Sequence, residues 1–224
     1  MKQTEQELKD IQNQYYEKHS TRVKPDGTLK IKRDQDLKDL SFISRLNIKK
    51  LYISRCANIS FGNMTSQSCE ELMVNYCQLK RLKGISQFNK LKQLDISYDK
   101  LLDLGPLRNL KQLDTLCVQY NEIVSLSPLS NLFNLENLYI SCNQITNLYP
   151  IRNLSKLVCL YATNNKITDL NGLQYLNNLT QLYLNGNQIS DLSPLSGRIS
   201  IIKPMLNNRF ITITTQYVTL IYVN

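Results

Sequence analysis

A single histidine, His19, is the only imidazole in the 224 residues. Serine or cysteine nucleophiles elsewhere in the chain therefore lack the Ser-His or Cys-His partner that would activate them. Six cysteines are present, but Cys117, Cys142 and Cys159 have no histidine beside them and no metal-ligand spacing. The seven glycines are scattered and form no phosphate-cradling loop. These absences leave an enzyme, a metal site or a bound cofactor without residues to carry them. What remains is surface chemistry: thirteen tyrosines, 27 Lys and Arg, and 18 Asp and Glu. Such residues bind, and their arrangement depends on the elements that hold them.

Those elements are copies of one unit, clearest in Leu179-Thr-Gln-Leu-Tyr-Leu-Asn-Gly-Asn-Gln-Ile-Ser-Asp-Leu-Ser-Pro-Leu195. With Leu179 as position one, position four recurs as Leu29, Leu51, Leu72, Leu94, Leu116, Leu138, Leu160 and Leu182, at spacings of 22 residues with one of 21. Position six follows in step as Ile31, Ile53, Val74, Ile96, Val118, Ile140, Ala162 and Leu184. Alternation of four and six predicts a short strand with both side chains inward. One unit cannot bury this apolar set, so the copies must stack. Leucines three apart in the second half of each unit, with Pro106, Pro128, Pro150 and Pro194 at matching places, suit 3₁₀ turns better than long helices.

The bend at position nine reads Asp34, Cys56, Cys77, Asp99, Asn121, Asn143, Asn165 and Asn187. A buried unpaired backbone group costs about 1–3 kcal/mol, which a short polar side chain at every bend offsets. Cys56 and Cys77 are on this reading structural rather than reactive. The pattern resembles the short, 22-residue class of leucine-rich repeats, similar to the repeats of the phosphatase 1 regulatory subunit and of internalins. The resemblance covers residues 26–211. It implies an α/β, right-handed solenoid with a concave parallel β-sheet, short 3₁₀ or helical segments on the convex side, and a protein partner held on the concave face.

Positions five and eight face outward from such a sheet, and there the tyrosines gather. Tyr76, Tyr98 and Tyr120 occupy position eight; Tyr139, Tyr161 and Tyr183 occupy position five. With strands about 4.8 Å apart, the six rings are expected to form one continuous diagonal band, bordered by Asp95 and Gln119 as part of a polar rim. Tyrosine is common at interaction hot spots, although Leu-Tyr-Leu also packs well on any sheet. Lys30, Lys32, Arg33, Lys49, Lys50 and Arg55 are expected as a basic patch at the N-terminal end. Residues 1–90 hold 17 Lys and Arg against 10 Asp and Glu, whereas 91–224 hold 10 against 8. An acidic segment of a protein partner fits that patch. Nucleic acid is disfavoured because the basic residues and the tyrosines separate along the array.

The flanks complete the expectation. Thr4 and Glu7 form a capping box before Leu8, Ile11 and Tyr15, which predicts a helix over 6–19 capping the first repeat within a segment 1–25. Residues 60–68 lack the expected leucines and read as an exposed loop. Residues 212–224 are β-rich and read as a closing segment. The sequence contains no apolar run long enough to span a membrane, begins without a signal-peptide core, and spaces its cysteines irregularly, so an intracellular setting with reduced thiols is expected. Sequons such as Asn63-Met-Thr and Asn178-Leu-Thr are then chance matches in an Asn-rich chain.

Overall fold

The computed structural model describes residues 23–34, 40, 43, 46–57, 59, 61–62 and 68–196, together with the backbone of two strands at 211–214 and 217–220. The expected helix over 6–19, His19 and most of the 60–68 loop lie outside the described residues. Eight strands follow in chain order: β1 (Thr28–Lys32), β2 (Lys50–Ser54), β3 (Glu71–Asn75), β4 (Gln93–Asp95), β5 (Thr115–Cys117), β6 (Asn137–Tyr139), β7 (Cys159–Tyr161) and β8 (Gln181–Tyr183). All pair in parallel with their sequence neighbours to form one sheet. The register joins position four to position four throughout, from Leu29↔Leu51 to Leu160↔Leu182.

Every position-four and position-six side chain is buried, and they belong to one apolar core that runs from Leu29 to Leu195. At roughly 1.5–3 kcal/mol for each large apolar side chain buried, this column pair dominates the stability of each repeat. Phe61 joins the core edge-on to Phe88, with ring centroids 6.0 Å apart. Side chains thus fill the irregular early repeats where leucines are missing.

On the convex side, 3₁₀ turns occupy Ile85–Gln87, Gly105–Leu107, Ser127–Leu129, Tyr149–Ile151, Leu173–Tyr175 and Ser193–Leu195. Four of them carry the repeat proline near their start, where a fixed φ helps and a missing N–H costs nothing. The other two follow Gly84 and Gly172, at φ 90° and 107°. At Gly172 an added Cβ would also press on the Tyr149 Cα at 3.1 Å. A further column went unread in the sequence: Asp103, Ser125, Asn147, Asp169 and Asp191 each accept a bond from a backbone N–H two residues on. These Asx-type turns start the convex segment.

The bend ladder has detailed geometry. Asn121, Asn143, Asn165 and Asn187 each accept at Oδ1 from a backbone N–H of the preceding repeat, all at 3.0 Å. Each also donates from Nδ2 to carbonyls on both sides, as Asn143 does to Val118 O at 2.9 Å and Ile140 O at 3.1 Å. Cys56 and Cys77 give weaker thiol bonds to Ser54 O and Asn75 O at 3.4 and 3.3 Å. Asp99 accepts at Oδ1 from Cys77 N (2.8 Å) and Leu79 N (3.0 Å), but its buried Oδ2 has no partner. A carboxylate has no proton for the carbonyls that asparagine would engage. Burial therefore pushes the Asp99 carboxyl up to about 7. At the far end, β9 (Ile211–Thr214) and β10 (Tyr217–Leu220) pair antiparallel as a separate two-stranded sheet.

Candidate functional site

Position eight is where the chain leaves the sheet. Its backbone N–H still bonds the next repeat, as in Tyr98 N to Gln119 O (2.9 Å) and Tyr120 N to Ser141 O (3.0 Å). Its φ is positive in all eight repeats: Arg33, Arg55, Tyr76, Tyr98, Tyr120, Cys142, Asn164 and Gly186. Asparagine and glycine suit that conformation; a bulky side chain there is strained by about 1–2 kcal/mol. The solenoid nevertheless carries tyrosine at three successive bends. Their rings stack with centroids 4.4 Å apart at both steps and interplanar angles of 14° and 10°, and all three remain more than two-fifths exposed.

Position five forms a second column. Tyr139, Tyr161 and Tyr183 lie in ordinary strand conformation, half-buried, with centroids 5.2 and 4.1 Å apart and tilts of 39° and 25°. Among the described residues no ring contact joins Tyr120 to Tyr139. The expected continuous band is therefore two ladders in two columns. The position-eight column continues from Tyr120 to the Cys142 thiol, which raises the Tyr120 phenol, and on to Asn164, whose Nδ2 lies 3.7 Å from Cys142 Sγ. Tyr161 is pushed up to about 12, first by its hydroxyl bond to Tyr183 and then by burial. Burial and its two neighbours also raise Tyr98. With these upward shifts the Tyr98, Tyr120 and Tyr161 phenols present neutral hydroxyls at physiological pH.

The basic residues are partly committed. Lys30 sits 5.1 Å from the Tyr52 ring centroid and Arg55 5.8 Å from that of Tyr76, so a cation heads each aromatic column. Lys50 pairs with Glu71 at 3.0 Å, which raises the lysine through that hydrogen bond. Lys32, Arg33 and Lys49 are exposed. Basic side chains therefore mark the β1–β2 end, but three of the six already have partners on the same sheet.

Between the ladders the sheet is hollow. Column five carries no aromatic ring at Asp95 and Cys117, and there a recess of about 310 Å³ opens, lined by residues that include Glu71, Met73, Asp95, Cys117, Gln119 and Tyr139. Asp95 and Gln119, expected at a rim, lie in this recess instead, because the flanking Met73 and Tyr139 stand taller. Asp95 accepts from Asn75 Nδ2 at 2.9 Å and Ser97 N at 3.0 Å, both at Oδ1. Ser97 Oγ and Gln119 Nε2 approach the Cys117 sulfur at 3.0 and 3.4 Å. Burial and then Asp95 push the Cys117 thiol up, so it is a poor nucleophile at neutral pH. The column itself, Met-Asp-Cys-Tyr at 22-residue spacing, was the sequence signal for the recess.

Eight parallel strands, 3₁₀ turns and a polar bend ladder define a leucine-rich-repeat solenoid, a scaffold class that binds proteins. The family model for leucine-rich repeats (two copies) matches residues 155–197. No curated protein sequence matches the chain. Among solved structures, internalin C2 of Listeria monocytogenes is similar at 33% identity and a TM-score of 0.70, over 78% of this chain and 77% of that one. The internalin inlF of the same organism is similar at 30% and 0.66, over 73% of this chain and 49% of that one, so this chain spans about half of that structure. A leucine-rich-repeat protein of Leptospira interrogans, at 21% identity and a TM-score of 0.56 over 75% of this chain and 54% of that one, shares the fold. The chain belongs to the leucine-rich-repeat family, with repeats of the internalin type.

Proposed function

We propose that this chain is a non-catalytic binding module that holds a protein partner on the concave face of its sheet, with Tyr76, Tyr98 and Tyr120 as the principal contact. The observation that carries the reading is the exposed ring stack built on left-handed bends. Stacking returns about 0.5–1.5 kcal/mol for each of two pairs, against about 1–2 kcal/mol of backbone strain at each of three residues. The fold alone gains nothing from tyrosine there. The exposed cations near β1 and β2 suit an acidic stretch of the partner, and the six free cysteines support an intracellular setting. The recess lined by Asp95 opposes the phosphate backbone of an RNA.

A second reading is an adhesion protein that works at a cell surface or after secretion. Its support is the similarity to internalin C2 over most of both chains. Fractionation of the native cells with an antibody to this chain separates the two: recovery with the cytosol supports the first reading, and recovery from the surface or medium supports the second.

Selection of random displayed peptides on the immobilised chain tests the binding role. The reading expects enriched peptides whose affinity falls by about tenfold or more on a Tyr76→Asn, Tyr98→Asn, Tyr120→Asn variant. Failure to enrich any peptide, or equal binding to that variant, contradicts it.

A further inference from the structure

We propose that the recess over β3–β6 is a pocket for one cationic side chain, a lysine or arginine of the protein partner, with Asp95 as its counter-charge. This rests on the binding role argued above and names the chemistry of one anchor within it.

Three observations converge. First, Asp95 is the carboxylate of this recess without a basic partner. Glu71 is engaged by Lys50 and by the Tyr52 hydroxyl, whereas Asp95 takes part in no ion pair among the described residues of a chain with net charge +9. Both hydrogen bonds to it land on Oδ1 and neither engages Oδ2. The two donors, Asn75 and Ser97, hold the carboxylate plane in a fixed attitude before any ligand arrives, which lowers the ordering cost of binding.

Second, among the described residues no lysine or arginine lines the recess; its other polar groups include the amides of Gln93 and Gln119 and the hydroxyl of Thr115. Amide and hydroxyl oxygens accept from an ammonium or guanidinium group, and nothing there repels one. An acidic or phosphorylated side chain would meet the Asp95 carboxylate instead.

Third, the apolar walls fit the stem of such a side chain. Met73 and Tyr139 close the two ends of the gap, the thioether and ring offering adaptable apolar contact to methylene groups. The same face already places cations over its own rings, Lys30 on Tyr52 and Arg55 on Tyr76. Tyr139 offers the incoming cation an equivalent ring. The partner is then read as two charges in order: an acidic stretch toward β1–β2 and a single base at β4–β5, with its apolar side chains on the Tyr76–Tyr120 stack between the bends.

Nuclear magnetic resonance titration of the isotope-labelled full chain tests this. The probes are N-acetyl-arginine amide and the neutral N-acetyl-citrulline amide, which match in length. The proposal expects saturable shifts at Asp95, Ser97, Cys117 and Gln119 with arginine, about fivefold or more weaker binding of citrulline, and the same loss for arginine on Asp95→Asn. Asp95→Asn keeps the side-chain oxygen that accepts from Asn75 and Ser97, so the recess keeps its shape. Equal binding of the two probes, arginine binding unaffected by Asp95→Asn, or shifts confined to other residues overturns the pocket. The peptides selected for the binding role keep the two claims apart. If they lose affinity on the tyrosine variant but keep it on Asp95→Asn, the binding face stands and the cation pocket falls.

Discussion

The two tyrosine ladders contain the same residue in the same number and differ in what the backbone asks of them. Tyr139, Tyr161 and Tyr183 are the last residues of strands β6, β7 and β8, half-buried, where an aromatic ring is among the preferred residues of any sheet. Tyr76, Tyr98 and Tyr120 sit at bends with φ of 58°, 61° and 54°, where the later repeats of the same molecule place Asn164 and Gly186. The first ladder explains itself through packing. The second runs against local preference and keeps its rings in water, and local conflict of that kind is where function is to be sought. Sharing a sheet therefore does not make the six rings one surface.

The border between the ladders can be broken outright. Leu138→Asp, in the repeat that follows Tyr120, removes a fully buried leucine and buries a charge, a loss of more than about 4 kcal/mol. Because each repeat contacts only its neighbours, urea unfolding followed by circular dichroism should split into two steps. A single transition at the wild-type midpoint would refute the register.

A smaller effect separates the early ladder from the late one at Asp99. Its carboxyl is raised in the folded state, to about 7, so the folded chain holds a proton that the unfolded chain releases above about pH 4. Stability linked to this group therefore falls as pH rises from about 4 through 7 and stays low above that. Asp99→Asn, which supplies the missing donor, should raise the melting temperature by about 2–6 °C at pH 8, with a smaller gain at pH 5. An equal gain at both values would show that the unpaired Oδ2 does not titrate with folding.

Smaller still is the effect of each tyrosine on stability, and here the ladders should differ in sign. Tyr120→Asn, which loses a single ring stack, should leave the urea midpoint unchanged or raise stability by up to about 1 kcal/mol, because strain relief matches or exceeds the lost stacking. Tyr161→Ala should lower it by about 1 kcal/mol, from lost strand propensity and ring contacts. Equal losses would erase the distinction between the columns.

Much of the fold was legible because the inward columns stay apolar in step: leucine at position four in every copy and a second apolar residue two places on, over eight copies, leave one way to stack. The outer columns vary, and there the reading was partial. Which tyrosines share a column could be counted, but the diagonal joining Tyr120 to Tyr139 assumed that a ring at position eight reaches one at position five. The left-handed bend turns the first away, and a positive φ is invisible wherever the residue is Tyr or Arg rather than Gly or Asn. The recess escaped notice for the complementary reason, since it is defined by what Asp95 and Cys117 lack in height beside Met73 and Tyr139. Asp99 was read as one more rung of the bend ladder; that it has one donor too few follows from the atoms of the side chain and needed only the burial of Oδ2 to matter.

The central claim is that the bend ladder binds and the strand ladder chiefly packs. The direct measurement is the affinity of one selected peptide, by isothermal titration calorimetry, for a Tyr98→Asn, Tyr120→Asn variant and a Tyr161→Thr, Tyr183→Thr variant. The account predicts a loss of about tenfold or more for the first pair and a markedly smaller loss for the second. A larger loss for the strand pair, or no loss for the bend pair, would contradict it.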